Sequence, residues 1–269
     1  MRIRIVDAFT DRPFGGNPAG VVLLDAFPPD DRLQRVAAEV NLSETAFAHP
    51  LPPGGEADWA LRWFTPGTEV DLCGHATLAT AHVLAADGRA GGPVRFASRG
   101  GLLTARAGAG GRITLDFPTA PLTGVAPPAG LADALGATPL SAHTTAGPTD
   151  DILVELADER TVRELAPDHR ALRGASKRGV LVTARADDPG AGYDFVSRCF
   201  FPDVGIDEDP VTGSAHTSLG LFWAGRLGRS SLVGFQASAR GGLVGTEVRG
   251  ERTLLTGTAV TVIDGELLV

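Results

Sequence analysis

Cysteine, methionine and tyrosine are nearly missing from this sequence, which carries two Cys, one Met and one Tyr in 269 residues. Cys73 and Cys199 cannot build the multiple-bridge framework of a small secreted domain, so both are expected to be reduced thiols. Long apolar runs are missing as well. No stretch nears the roughly 20 residues that a membrane-crossing helix needs. Residues 1–7 alternate like a strand instead of forming the apolar segment of a signal peptide. A cytoplasmic protein without membrane contact is the expectation. Positive charge is also scarce, with 24 Lys and Arg against 32 Asp and Glu and a net charge of -8. No basic stripe appears, which argues against nucleic-acid binding.

Metal and cofactor signatures are absent too. His49, His75, His82, His143, His169 and His216 form no His-x-x-x-His or Glu-x-x-His cluster. No Gly-x-Gly-x-x-Gly follows a strand, and the Gly15-Gly16 turn lacks the Lys-Ser/Thr ending of a phosphate loop. No metal and no cofactor are expected. What the chain does have is 35 Gly and 19 Pro, which predict many short strands joined by tight turns.

Two segments echo each other. In the first, Pro66 lies seven residues before Cys73, which leads into Gly74, His75 and Ala76. In the second, Pro202 lies seven residues before Asp209, and Gly213, Ser214 and Ala215 follow. Each segment runs into a helical pattern rich in small residues. The spacing predicts two related lobes, each giving one helix N-terminus, with its free N–H groups, to a shared carboxylate-binding site.

In the first half, strands are predicted at 3–9, 20–24 and 59–64, with a helix from Asp30 through Val40 and another over 76–84. Asn17 follows the glycine pair and is a candidate substrate contact, although a plain turn residue is the simpler reading. Glu44, between Leu42 and Phe47, could be desolvated and so raised toward the range useful for proton transfer. A surface acid at a helix exit is the simpler alternative. Strands at 94–98, 102–106 and 112–117 precede the Pro-rich segment 119–130, the expected linker.

In the second half, helices are predicted near 131–135, 161–166 and 168–172. Strands are predicted at 140–144, 151–156, 179–184, 193–200, 235–239, 243–249 and 253–262. Thr212 is the expected N-cap of the last helix. Shifting Glu44 by the 136 residues that relate the two prolines lands on Val180. The second half therefore lacks an equivalent carboxylate. The expected domains are 1–118, rejoined by a closing strand at about 256–269, and 119–255.

Three chemistries compete. Metal catalysis lacks ligands. A Cys73 nucleophile has a helix start beside it but also Glu69 and Asp71, which disfavour a thiolate, so a packed small residue is the simpler reading. Cofactor-free acid–base chemistry fits best, with Glu44, His75 and Asp209 moving protons and the Gly74 and Gly213 turns holding negative charge.

The ordered motifs Asp7-Ala8-Phe9-Thr10, Phe14-Gly15-Gly16-Asn17-Pro18, Asn41-Leu42-Ser43-Glu44-Thr45, Cys73-Gly74-His75-Ala76-Thr77 and Asp209-Pro210-Val211-Thr212-Gly213-Ser214 span the chain. Through them the sequence resembles the PhzF-like phenazine-biosynthesis family. The resemblance implies an α+β, diaminopimelate epimerase-like fold: two pseudo-symmetric lobes, each a curled, barrel-like sheet around a central helix, with the active site in the cleft between them. It implies a homodimer and an isomerase independent of metals and cofactors. Glu44 would remove a proton from C3 of a substrate such as trans-2,3-dihydro-3-hydroxyanthranilate. His75 and Asp209 would assist its delivery, while Ser43, Gly74, Gly213 and Ser214 would surround a small substrate carboxylate. Fold relatives that epimerise amino acids use two cysteines. Here Cys73 keeps the first position and Asp209 replaces the second, which favours a one-base proton shift. The alternatives are an amino-acid epimerase or racemase and a non-catalytic protein that binds small carboxylates.

Overall fold

Alternating apolar residues at the start of the chain form β1 (Arg2–Ala8), with Val6 and Ala8 fully buried. A computed structural model describes residues 1–146 and 150–268. The chain divides into two units, Met1–Asp116 with Thr256–Val269, and Phe117–Leu255.

The first unit continues with β2 (Asn17–Leu23), α1 (Asp30–Val40), β3 (Glu44–Pro50), β4 (Trp59–Phe64) and β5 (Glu69–Val70). Next come α2 (Gly74–Ala86), β6 (Val94–Ser98), β7 (Gly101–Ala107) and β8 (Ile113–Pro118). Helix α1 is amphipathic. It buries Leu33, Val36 and Ala37 against Val22, Phe47 and Phe64 and carries Asp30 and Asp31 in its first turn, where the helix dipole favours negative charge. Helix α2 is different, because Gly74, His75, Ala76, Thr77, Leu78, Ala79, Thr80 and Ala81 are all buried. A helix buried on every side belongs inside its sheet. Its small side chains let β1, β2, β3 and β7 pack around it.

The second unit holds β9 (Leu122–Val125), α3 (Leu131–Leu135), β10 (Ser141–Thr145), β11 (Ile152–Glu155), α4 (Glu159–Glu164) and β12 (Val180–Arg185). It goes on through β13 (Phe195–Phe201), β14 (Ile206–Asp209), α5 (Gly213–Leu227), β15 (Ser231–Gln236), β16 (Gly242–Arg249) and β17 (Arg252–Gly257). Helix α5 packs Ala215, Leu219, Phe222 and Trp223 against Leu153, Leu181 and Phe195. Its Gly220 lets β16 come close, since a Cβ there would lie 3.0 Å from Thr246 Cβ. The final strand, β18 (Ala259–Glu266), belongs to the first unit and pairs antiparallel with β1.

The pairing pattern of one unit repeats in the other. In the first, β1–β2 is antiparallel, β2–β3 parallel, β3–β4 antiparallel, β4–β6 parallel and β6–β7 antiparallel. In the second, β10–β11, β11–β12, β12–β13, β13–β15 and β15–β16 run through the same alternation. Glu44 and Val180 each open a strand, β3 and β12, and so do Trp59 and Phe195, separated by the same 136 residues. The fold is α+β and diaminopimelate epimerase-like, with a curled sheet around a central helix in each unit.

Several local expectations fail: the strand expected at 235–239 lies earlier, at Ser231–Gln236, and the one expected at 253–262 is divided between β17 and β18. The segment 119–130 is not simply a linker, because β9 lies in it and pairs antiparallel with β10. Its prolines flank the strand rather than interrupt it, so the ladder survives. Residues 168–172 form hydrogen-bonded turns instead of a helix. There the Asp168 carboxylate accepts from the backbone N–H of Arg170 and Ala171, a local alternative to helical bonding.

Candidate active site

In the first unit, three strand and helix beginnings meet. Strand β2 opens at Asn17, directly after Gly16, whose φ of +62 suits only glycine where its Cβ would lie 2.1 Å from Ala8 O. Strand β3 opens at Glu44. Helix α1 ends in Asn41 in the left-handed conformation, which turns the chain toward β3. Parallel register sets Glu44 opposite Ala19, two residues beyond Asn17 and hence on the same face of β2 as Asn17. Helix α2 starts at Gly74 with Cys73 in the N-cap position, so His75 sits in its first turn.

These beginnings bring four side chains together. His75 Nε2 lies 3.2 Å from Glu44 Oε2. His75 Nδ1 lies 3.3 Å from Asn17 Nδ2 and 3.6 Å from Cys73 Sγ. With the amide nitrogen donating, Nδ1 accepts and the ring proton resides on Nε2, facing the Glu44 carboxylate. Asn17 is fully buried and His75 is 5% exposed, whereas Glu44 retains 14% side-chain exposure. Burial pushes the His75 pKa down to about 3, so the ring is neutral near neutral pH. His75 Nε2 and Glu44 Oε2 are close but not aligned as a hydrogen bond, so a neutral imidazole stands beside the carboxylate and no buried cation is created. Ser43, half-buried, immediately precedes Glu44, and Gly74 is buried at the head of α2.

In the second unit, β14 ends at Asp209, which is 7% exposed, and Thr212 leads into α5. Thr212 occupies the N-cap position, but its side chain does not cap the helix. Instead its hydroxyl donates to Asp209 Oδ2 at 2.5 Å. Gln236 on β15 accepts from Thr212 N at 2.8 Å and donates to Asp209 O at 2.7 Å. This fully buried amide fixes the turn between β14 and α5. Gly213 opens α5, and Ser214 follows with its Oγ accepting from Arg178 Nη2 at 3.2 Å. Arg178 is itself clamped by both oxygens of Asp151, at 2.8 and 2.6 Å. Burial raises the pKa of Asp151 against the lowering effect of Arg178. Cys199, paired opposite Asp209, is fully buried, and burial drives its thiol well above the ordinary value. It is a core thiol.

Sequence reading missed Arg178, Asp151 and Gln236, and it missed the contact of Asn17 with His75. No local motif marks them, since each acts across more than twenty residues of chain. Glu69 and Asp71, expected to repel a Cys73 thiolate, are themselves paired with arginines. Glu69 binds Arg62 and Arg99, and Asp71 binds Arg99.

Residues 6–265 match the family model described as phenazine biosynthesis-like protein. An uncharacterized isomerase of Pseudomonas aeruginosa is 51% identical over 263 residues, covering 97% of this chain and 96% of that protein. A crystal structure of a PhzF-family phenazine biosynthesis protein from Enterococcus faecalis superposes with a TM-score of 0.91 at 40% identity, covering 100% of this chain and 99% of the other. The fold alone is shared with a hydroxyproline epimerase of Agrobacterium vitis, with a TM-score of 0.63 at 14% identity and coverage of 98% and 91%. Among the described residues, no helix is long and apolar enough to cross a membrane.

Proposed function

Because this chain belongs to the phenazine biosynthesis-like (PhzC-PhzF) family, we propose that it is an isomerase that shifts a proton on a small carboxylate-bearing substrate, with Glu44 as the base. The observation that carries this reading is the 3.2 Å approach of His75 Nε2 to Glu44 Oε2. It sets a neutral ring beside the carboxylate and leaves the carboxylate its charge.

In the proposed cycle, Glu44 takes a proton from an acidified carbon, such as C3 of trans-2,3-dihydro-3-hydroxyanthranilate. The electron pair of the broken C–H bond moves into the conjugated system. The protonated Glu44 then returns the proton farther along that system, giving an enol that tautomerises to the ketone. No atom is gained or lost, so the step consumes no oxidant, reductant or group donor, and in this reading it runs without a cofactor. His75 supports the carboxylate and Asp209 assists delivery. Ser43, Gly74, Gly213 and Ser214 bind the substrate carboxylate through hydroxyl and helix-start N–H donors. The working form in this reading is a cytoplasmic homodimer.

The test is to incubate the protein in deuterium oxide with trans-2,3-dihydro-3-hydroxyanthranilate and with a panel of small unsaturated and amino acids, following label uptake by mass spectrometry. Exchange and isomerised product are expected, with a loss of roughly 10²–10⁴-fold in Glu44→Gln. An unchanged rate in that variant removes Glu44 as the base. Tight binding without exchange across the panel points to a binding protein.

One observation favours a second reading. Cys73 Sγ, 3.6 Å from His75 Nδ1, offers another proton carrier, as an amino-acid epimerase or racemase would need. Cys73→Ala separates the two, since an epimerase loses activity in that variant and a one-base isomerase keeps it.

A further inference from the structure

Cys73 has no step in the one-base isomerase cycle, yet its sulfur belongs to the same cluster. Donor atoms of Glu44, Cys73 and His75, one from each, all lie within 4.8 Å of one another. A tetrahedral zinc ion with bonds of about 2.0–2.3 Å spaces its ligands roughly 3.3–3.6 Å apart, so small side-chain rotations close the remaining gap. We propose that Glu44, Cys73 and His75 form a binding site for one zinc-class divalent ion, whose occupancy blocks proton transfer at Glu44.

The donor set defines the ion. A thiolate, an imidazole and a carboxylate together suit zinc and its borderline-soft neighbours and disfavour magnesium and calcium, which prefer all-oxygen shells. Three protein ligands leave a fourth position for water. The anchors are well fixed, with Glu44 opening β3, Cys73 in the N-cap position of α2 and His75 in its first turn. Asn17, 3.3 Å from His75 Nδ1, can present its amide oxygen to that nitrogen once the ring is bound through Nε2. Metal-ligating histidines are oriented by an outer partner of this kind. The 14% side-chain exposure of Glu44 provides a route for the ion. On binding, the thiol proton is released to solvent, the ring proton moves by way of solvent from Nε2 to Nδ1, where the turned Asn17 amide oxygen accepts it, and the carboxylate and the freed Nε2 lone pair become metal bonds. Those lone pairs are then withdrawn from proton transfer.

The block at Glu44 rests on the isomerase reading, whereas the binding site itself is measured directly and stands apart from it. The full-length protein, stripped with a chelator and kept reduced, would be titrated with cobalt(II) alone. A near-ultraviolet thiolate-to-cobalt charge-transfer band is expected, saturating at one equivalent and displaced by zinc. Cys73→Ala and Cys73→Ser should both abolish the band while unfolding at temperatures close to wild type. Glu44→Gln and His75→Gln should each weaken binding tenfold or more, and Cys199→Ala should leave it unchanged. Absence of the band in the wild type overturns the proposal. So does a band that survives either Cys73 variant, or one whose affinity is unaltered in both Glu44→Gln and His75→Gln.

Discussion

Asn17 Nδ2 lies 3.3 Å from His75 Nδ1, joining the first residue of β2 to the first turn of α2. With its amide nitrogen donating, Asn17 favours the tautomer that carries the proton on Nε2, the nitrogen 3.2 Å from Glu44. Replacing it with Ala should lower kcat roughly 10²-fold, the scale of one positioned acid–base group, with little change in KM. Steady-state kinetics with the substrate found by deuterium exchange would check this. A selective rise in KM with kcat intact would return Asn17 to the role of a substrate contact.

Gln236 carries the corresponding burden in the second unit. Its amide satisfies Thr212 N and Asp209 O at once, in a fully buried place. Gln236→Leu orphans both backbone groups, and each buried unsatisfied group costs about 1–3 kcal/mol. A destabilisation of about 2–4 kcal/mol is expected in urea unfolding. A loss below about 0.5 kcal/mol, the range of an ordinary surface substitution, would mean that the turn is held by other contacts.

The repeat was legible in the sequence because it preserves spacing. The offset of 136 residues relates Glu44 to Val180 and Trp59 to Phe195, and all four open strands. The acid–base cluster was legible only as separate motifs. Asn17 and His75 are 58 residues apart, and nothing local says that one ring nitrogen faces an amide and the other a carboxylate. Strand β9 was hidden for another reason. Its ladder is made with β10, while its own proline-rich flanks read as linker. The arginine at 178 was invisible because its partners, Asp151 and Ser214, are 27 and 36 residues away.

Gly16 gives a sharp test of the loop that delivers Asn17. Its φ is +62, and an added Cβ would lie 2.1 Å from Ala8 O, a backbone atom that cannot move aside cheaply. Gly16→Ala should cost about 3 kcal/mol or more and weaken whatever depends on Asn17. Gly67→Ala is the control, since nothing lies within 4 Å of the added methyl. Equal unfolding midpoints for the two variants would show that the strain at Gly16 is absorbed by loop movement.

His216 makes the stability of the protein depend on pH. It is fully buried on α5, with Nδ1–H donating to Thr212 O at 2.8 Å, and burial lowers its pKa from 6.5 to about 4. Between those values the unfolded chain binds a proton that the folded chain refuses. Stability from this residue is therefore full above pH 6.5 and drains away as pH falls toward 4. The loss reaches about 3 kcal/mol at the low end. His75, lowered in the same direction, adds to the slope. In His216→Asn the side-chain amide can still donate to Thr212 O but does not titrate. Urea unfolding from pH 7 down to pH 4 should then show a shallower decline than wild type, with the His75 share remaining. Parallel declines in the two proteins would mean that His216 takes up its proton in the folded state, and the buried, neutral ring would have to be abandoned.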